Sequence, residues 1–113
     1  MLDRSLAIAA LLACGAAGAE AAPPAATSAP AAARTVVIEN MQYAPAELHV
    51  RRGERVTWVN QDLVPHTVTA RDKSFDSQSI AAGASWSTVA AHAGRFAYAC
   101  SFHPTMSATL VVE

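Results

Sequence analysis

Three residues of metal-binding type are spaced three positions apart near the C-terminal end of the chain. Cys100, His103 and Met106 follow one another with two-residue gaps. A thiolate, an imidazole and a thioether on one short segment can converge on a point without a helix to space them. His66 lies 34 positions before Cys100 and directly follows Pro65. Together these four side chains form a candidate metal site.

The ligand types favour copper over the other common protein metals. Soft sulfur ligands with imidazoles select copper, and two histidines with one cysteine and a distant methionine make up the blue-copper set. Structural zinc sites usually contain two or more cysteines, and covalent haem attachment needs Cys-x-x-Cys-His. No second cysteine lies near Cys100, which also excludes a binuclear copper centre bridged by two thiolates. We therefore predict one type 1 copper ion, Cu(I)/Cu(II), with the ligands His66, Cys100, His103 and Met106.

Each of these residues, taken singly, also has an ordinary structural interpretation. A lone cysteine at a strand end is commonly a small buried side chain, and a methionine in a turn commonly fills a gap. The joint occurrence of four suitable ligand types at this spacing favours the metal site. His49 lies between Leu48 and Val50, and His92 lies in a predicted turn before Gly94. We predict that both histidines face solvent and do not bind metal.

The N-terminal residues have the order of a secretory signal peptide. Arg4 precedes an apolar run at 6–13, and small residues continue to Ala19. A positive charge, then an apolar stretch, then a cleavage region of small residues is the order typical of an export signal. A membrane span would need about 20 apolar residues, and this run is shorter. We predict a signal peptide at 1–19, no transmembrane span and a periplasmic protein. An alternative is lipoprotein processing, with a lipid on Cys14.

The composition changes twice along the chain. Residues 20–34 are rich in alanine and proline and contain no large apolar residue, so they are predicted to be a linker. Residues 35–113 are predicted to form one small domain, whose modest core a bound metal would help to stabilise. Its only cysteine is Cys100, which needs a reason to stay unpaired in a compartment that favours disulfides.

The charges of this domain are balanced. From Arg34 onward the chain contains seven Lys or Arg residues and seven Asp or Glu residues. Proteins that bind nucleic acid carry a cluster or run of basic residues, and this part of the sequence has none. We therefore exclude nucleic acid as a partner and expect docking through an apolar surface.

The domain consists of short segments with the alternation of β-strands. Val56 and Trp58 fall on one face of a strand, with Thr57 and Val59 on the other. Turn signals recur about every eight to twelve residues and no helical periodicity appears, which is typical of an all-β sandwich or barrel. The predicted strands are 35–39, 47–50, 55–60, 66–70, 84–89, 95–100 and 108–113, with 75–80 as an edge strand or loop.

Residues 36–113 resemble cupredoxins of the amicyanin type and are also similar to plastocyanins and pseudoazurins. The spacing Cys-x-x-His-x-x-Met is similar to the short ligand loop of amicyanins, whereas plastocyanin-like loops have a longer gap before the methionine. The resemblance implies an all-β, cupredoxin-type Greek-key β-sandwich. The segments that carry it are 41–45, 53–60, 64–67, 93–100 and 100–106.

The resemblance also implies the ligand atoms and the activity. Copper would be bound by Nδ1 of His66 and His103, by Sγ of Cys100 and by the distant Sδ of Met106, in a protein that carries single electrons and is not an enzyme. Two departures from the family pattern bear on the reduction potential. Thr67 stands where an Asn is usual, and the segment 101–102 is Ser-Phe where Thr-Pro is often found.

Redox partners are expected to dock near His103, whose far imidazole edge would approach the surface. By resemblance these partners are a c-type cytochrome and a periplasmic dehydrogenase, and the protein itself is expected to be a monomer. Small, weak interfaces suit such encounters. The surrounding side chains, which we define as the apolar patch, are Leu63, Val64, Pro65, Phe102, Pro104 and Thr105.

Two other functions would use the same residues. A copper carrier or storage protein would hand over the metal instead of the electron, but such proteins often have Met-rich sites, and only Met41 and Met106 follow the leader. An enzyme would use Cys100 as nucleophile, with His66 or His103 as base. The small domain leaves little room for a substrate cleft, and an enzyme would leave Met106 unexplained.

Overall fold

The computed structural model describes residues 32–113. The predicted signal peptide, Cys14 and most of the predicted linker lie outside the described residues, so the boundaries of these segments remain predictions. All regular elements of the described part are strands: β1 (Ala33–Glu39), β2 (Gln42–Ala44), β3 (Glu47–Val50), β4 (Arg55–Asn60), β5 (Thr69–Ala70), β6 (Ser85–Val89), β7 (Gly94–Ala99) and β8 (Ser107–Val112).

The strands form two four-stranded sheets that pack face to face. One sheet has the order β2-β1-β4-β6 and the other has the order β3-β8-β7-β5. β1 runs parallel to β4, and β3 runs parallel to β8, while the other neighbours are antiparallel. This architecture confirms the predicted all-β sandwich.

The core lies between the sheets and is built on the alternation of β4. Val56 and Trp58 are fully buried, whereas Thr57 and Val59 on the opposite face are half-buried. The indole of Trp58 packs edge-on against the ring of Tyr98 at a centroid distance of 5.7 Å. Its Nε1–H donates to the Tyr98 hydroxyl at 3.2 Å, which joins the two sheets. Large buried rings contribute much of the apolar area of such a small core.

The hairpin between β1 and β2 is tight and has no glycine. Asn40 and Met41 form its two-residue loop with φ values of 54° and 60°. Positive φ at both loop residues is typical of a type I′ turn, whose twist matches the flanking strands. The backbone N–H groups of both residues point toward the loop that follows β4, where Asp62 accepts both.

The segment predicted as one strand at 66–70 is a strand only at its end. β5 covers Thr69 and Ala70, while His66 forms a single β-bridge with Ile80. His66, Thr67 and Val68 are all buried, so the alternating exposure of a half-buried strand is missing. The bonds of this segment go instead to the neighbouring loop, since Val68 exchanges hydrogen bonds with Ser77.

Two loops meet at one end of the sandwich. One loop follows β4, and the other connects β7 to β8. The predicted ligand His66 is on the first loop, and Cys100, His103 and Met106 are on the second. Within residues 32–113, no helix is long and apolar enough to cross a membrane.

Candidate metal centre

Three of the predicted ligand atoms converge where these loops meet. Cys100 Sγ lies 3.8 Å from His66 Nδ1 and 3.7 Å from His103 Nδ1. The three atoms all lie within 4.8 Å of one another. Residues 34 positions apart in the chain are therefore neighbours at this end of the fold.

The spacing of these atoms fits a shared metal ion. For zinc, metal–sulfur and metal–nitrogen bonds are about 2.3 Å and about 2.0 Å. Two such bonds at a trigonal angle place the sulfur and nitrogen atoms about 3.7 Å apart, which agrees with both measured distances. The donor set of one thiolate and two imidazoles is the in-plane set of blue-copper sites.

Met106 completes the predicted set from the same loop. Its backbone N–H donates to the His103 carbonyl at 2.9 Å, and its carbonyl accepts from the Cys100 N–H at 3.0 Å. The His103 N–H in turn donates to the Cys100 carbonyl at 3.2 Å. These bonds close the loop into two successive turns, and the Met106 side chain is buried in the same core cluster as Cys100. Its role as axial ligand remains a prediction.

The sulfur of Cys100 is buried and accepts a hydrogen bond from the backbone. The Thr67 N–H donates to Sγ at 3.3 Å, and Cys100 is 1% exposed. A donor at this position stabilises negative charge on the sulfur. Hydrogen bonding around the cysteine sulfur tunes the potential of blue-copper sites, so the Thr67 N–H is placed to contribute to such tuning in a site where Cys100 would bind copper.

Asp62 orients the imidazole of His66. Its Oδ2 lies 2.7 Å from His66 Nε2, and because a carboxylate only accepts, Nε2 is the donor and Nδ1 is the ring nitrogen that faces Cys100. The carboxylate also accepts the backbone N–H groups of Asn40 at 2.7 Å and Met41 at 3.0 Å. The Met41 N–H above all lowers the pKa of Asp62. Asp62 therefore stays ionised beside the ring.

Sequence reasoning missed Asp62. The available signal was an acidic residue four positions before a predicted histidine ligand. This spacing indicates an Asp–His contact only where the loop between the two residues folds back and brings the carboxylate to the imidazole. The donors that fix Asp62 come from a hairpin 21 and 22 positions earlier in the chain, which local pattern does not reveal.

His103 differs from His66 in its exposure. It is half-buried, whereas His66 is fully buried, and their rings pack edge to face at a centroid distance of 5.3 Å. The apolar patch around His103 is exposed, with Leu63 94% and Phe102 52% accessible. These exposed residues lie on the same two loops as the ligand candidates His66 and His103.

The other two histidines lie away from the centre, as predicted. His92 is exposed in the turn before β7, and His49 is exposed on β3. The His49 ring contacts Glu47 at 3.3 Å and Glu113 at 3.2 Å. Its partners are thus surface carboxylates.

Comparison with known proteins agrees with the fold. A profile of the cupredoxin-like domain matches residues 5–112. An amicyanin of Paracoccus versutus is 32% identical over 80% of this chain and 73% of its own length. Amicyanin-alpha of Methylorubrum extorquens is 32% identical over 97% of this chain and 99% of its own. The solved structure of an oxidized amicyanin variant superposes with a TM-score of 0.68 at 32% identity, covering 72% of this chain and 82% of that one.

The two-sheet sandwich, the converging histidine and cysteine atoms and these matches define a class of protein. The chain belongs to the cupredoxin family. Within that family it is amicyanin-like, and its cofactor is one copper ion. It is a blue copper electron-transfer protein.

Proposed function

We propose that the protein is a periplasmic type 1 copper carrier of single electrons, with His66, Cys100, His103 and Met106 as the copper ligands. The observation that carries this proposal is the convergence of Cys100 Sγ with two imidazole Nδ1 atoms at 3.7 and 3.8 Å. Bound copper supplies the one-electron couple between Cu(I) and Cu(II). The chain's own residues set the geometry in which that couple operates.

The surroundings of the centre favour electron transfer with little rearrangement. Asp62 and the hairpin amides fix His66, and the core surrounds Cys100. A ligand set held by strands and hydrogen-bonded turns would need little rearrangement when bound copper changes its oxidation state. The buried shell also keeps water from the sulfur, which tunes the potential.

We further propose that electrons enter and leave at His103 through the apolar patch. Its members are exposed, carry no charged group and come from the two loops that hold His66 and His103. Brief contacts of this kind suit redox proteins, for which a c-type cytochrome and a periplasmic dehydrogenase are the proposed partners. Export to the periplasm through residues 1–19 belongs to the same proposal, as does a role without enzymatic activity.

A copper carrier or storage protein is the second candidate, because it would use the same ligand atoms. The burial of His66 and Cys100 favours the electron carrier, since release of the metal would require both loops to open.

Repeated reduction and reoxidation of the copper-loaded protein, followed by copper analysis after gel filtration, separates the two functions. The electron carrier retains one copper per chain through reversible one-electron cycles. Loss of copper to a Cu(I) acceptor on reduction would contradict the proposal.

A further inference from the structure

Three hydroxyl groups lie in mutual contact beside the sulfur of Cys100. Thr67 Oγ1 is 2.9 Å from Thr69 Oγ1 and 3.2 Å from Ser101 Oγ, and the Thr69 and Ser101 oxygens are 3.1 Å apart. We define these three side chains as the hydroxyl triad. Thr67 is buried and Ser101 is exposed, so the triad runs from the site to the surface.

Two further groups determine the direction of the hydrogen bonds in the triad. The Ser101 N–H donates to Thr67 Oγ1 at 2.8 Å, and Thr69 Oγ1 donates to Asp76 Oδ1 at 3.2 Å. A carboxylate only accepts, and each hydroxyl has one proton to donate. Thr67 Oγ1 donates to Ser101 Oγ, and because the Thr69 proton goes to Asp76, the bond between Ser101 and Thr69 has Ser101 as its donor. The result is one continuous chain of bonds from the Ser101 amide to the Asp76 carboxylate.

The far end of this chain is itself held in place. Asp76 Oδ1 also accepts the Gln78 N–H at 2.9 Å. The adjacent Ser77 receives the Val68 N–H on its hydroxyl at 2.7 Å and donates its own N–H to the Val68 carbonyl at 2.9 Å. The loop that carries the anchor is thus bonded to the segment that carries Thr67 and Thr69.

The near end of the chain acts on the sulfur. The Ser101 peptide directly follows Cys100, and Thr67 donates its own N–H to Cys100 Sγ at 3.3 Å. Thr67 therefore makes two bonds beside the centre. Its backbone N–H donates to the sulfur of Cys100, and its hydroxyl accepts the N–H of Ser101, the residue that follows Cys100. If the side-chain bond is lost, the separation between the Thr67 amide and the sulfur is less well fixed.

We propose that Thr69, anchored by Asp76, is a positioning residue for the copper site, which acts through the triad to hold the N–H···S bond to Cys100. Its hydroxyl accepts from Ser101 and donates to Asp76, and it lies in contact with the Thr67 hydroxyl at 2.9 Å. The proposal rests on the copper-binding function proposed above. It also explains the departure at Thr67, since the triad bonds the two ligand loops together at that position.

The expected effect follows from the chemistry of the sulfur. A hydrogen bond to a metal-bound thiolate withdraws electron density from it and so favours the reduced ion. Hydrogen bonding around this sulfur is one of the factors that set the potential. Loosening the bond is therefore expected to lower the reduction potential and to shift the thiolate-to-copper absorption band.

The test compares four substitutions in the full, copper-loaded protein. Thr67→Val and Thr69→Val remove one triad hydroxyl each at nearly constant shape, and Thr67→Ser restores the hydroxyl. Thr57→Val is the matched control, because Thr57 Oγ1 forms a similar hydroxyl pair with Ser87 at 2.7 Å on a strand away from the ligands. We expect a lower potential and a shifted band in Thr67→Val, a smaller change of the same sign in Thr69→Val, and wild-type values in the other two.

A second measurement needs no copper. In the copper-free protein, hydrogen exchange of the Ser101 amide is expected to accelerate about fivefold or more in Thr67→Val and Thr69→Val, as the loss of one hydrogen bond implies. Thr57→Val is expected to leave this exchange unchanged. If both triad variants match Thr57→Val in exchange and in potential, the proposal is wrong. If the wild type binds no copper, the proposed function fails instead, and the exchange rates still decide whether the triad holds this peptide.

Discussion

Asp62 bonds three parts of the chain through one carboxylate. It accepts two hairpin amides and contacts Nε2 of His66, the ring nitrogen opposite the candidate centre. Carboxylate partners of ligating histidines fix the ring and its tautomer and raise its basicity as a ligand. We therefore expect Asp62 to influence copper binding through the His66 ring, without contacting the metal itself.

Removal of this carboxylate is expected to weaken copper binding. Asp62→Ala should lower the affinity about 10- to 100-fold, the range typical of such partners, and Asp62→Asn should lower it less because the amide oxygen still accepts a hydrogen bond. Competition with a chelator of known affinity measures the change. Asp72→Ala serves as control, since Asp72 is an exposed loop acid bonded to Ser74. Equal affinity in Asp62→Ala and wild type would contradict the assigned role.

His49 provides a pH-dependent interaction on the surface. Hydrogen bonds to Glu113 and then Glu47 raise its pKa, so the folded protein binds a proton here more tightly than the unfolded chain. This contribution to stability is present below the ordinary value of about 6.5 and is lost as the pH rises through the raised pKa. The hydrogen bond from Arg95 lowers the pKa of Glu47, whose contribution is instead lost as the pH falls through its lowered pKa.

We expect the titration of His49 to reveal this pairing. An NMR titration should give a His49 pKa above about 6.5 in the wild type and a lower value in Glu113→Gln, because Glu113 is the strongest partner. The difference in thermal midpoint between these proteins should shrink as the pH rises through the wild-type value. A wild-type pKa at or below the ordinary value would show that the pairing does not form in solution.

At the scale of elements, β4 and β7 join the two sheets through a buried aromatic pair. Burial raises the pKa of Tyr98 to about 12, so its hydroxyl stays neutral and accepts the Trp58 N–H. The ring of Tyr43 packs edge-on against Tyr98 at 4.8 Å, and its hydroxyl donates to the Thr67 carbonyl beside the candidate centre. The core and the metal loop are thereby connected.

Tyr98→Phe is expected to leave the buried Trp58 N–H without its acceptor. The unpaired donor should reduce the free energy of unfolding by about 1–3 kcal/mol. Urea denaturation of the copper-free protein measures this loss as a lower midpoint with an unchanged slope. An unchanged midpoint would mean that the indole finds another partner and that the hydrogen bond between the sheets is dispensable.

Strands with regular alternation were predicted well from the sequence. The bounds of β3 and β4 agree with the prediction, because each strand has one face in the core and one toward solvent. β2 was not predicted, because it is three residues long and its turn contains no glycine. The prediction of a strand at 66–70 was wrong for His66 to Val68, where tertiary contacts bury consecutive side chains.

The candidate site likewise contains residues that the sequence indicated and contacts that it did not. Ligand types and the two-residue gaps indicated the loop at 100–106, and the same ligand chemistry indicated His66 as the second imidazole, which the family resemblance supported. Asp62 and the Thr69–Asp76 contact depend on loops that meet only in the folded chain, which no local pattern encodes.

At the scale of the molecule, exposed apolar residues lie at both ends of the sandwich. Leu63 is 94% exposed beside the candidate centre, and Val89 is 45% exposed where β6 pairs with the first residue of β4, at the opposite end. Only the first lies in the apolar patch around His103. The proposed docking of partners through this patch would therefore make the two ends functionally different.

We expect Leu63→Glu to slow electron transfer to a c-type cytochrome, while Val89→Glu has little effect. A central apolar contact of an interface is worth more than about 1 kcal/mol, which corresponds to a fivefold or greater loss in the bimolecular rate constant. Stopped-flow mixing measures the rate, and voltammetry checks that the potential is unchanged. Equal slowing by both substitutions would indicate a general charge effect and contradict docking at this end.

The most direct test of the account is the absorption spectrum of the purified, copper-free protein after addition of one equivalent of Cu(II). A thiolate bonded to Cu(II) in this ligand set predicts an intense visible charge-transfer band, blue or green in colour, that disappears on reduction and returns on oxidation. Cys100→Ser should abolish the band. A wild-type protein that stays nearly colourless, or an equally intense band in Cys100→Ser, would contradict a copper centre built on this sulfur.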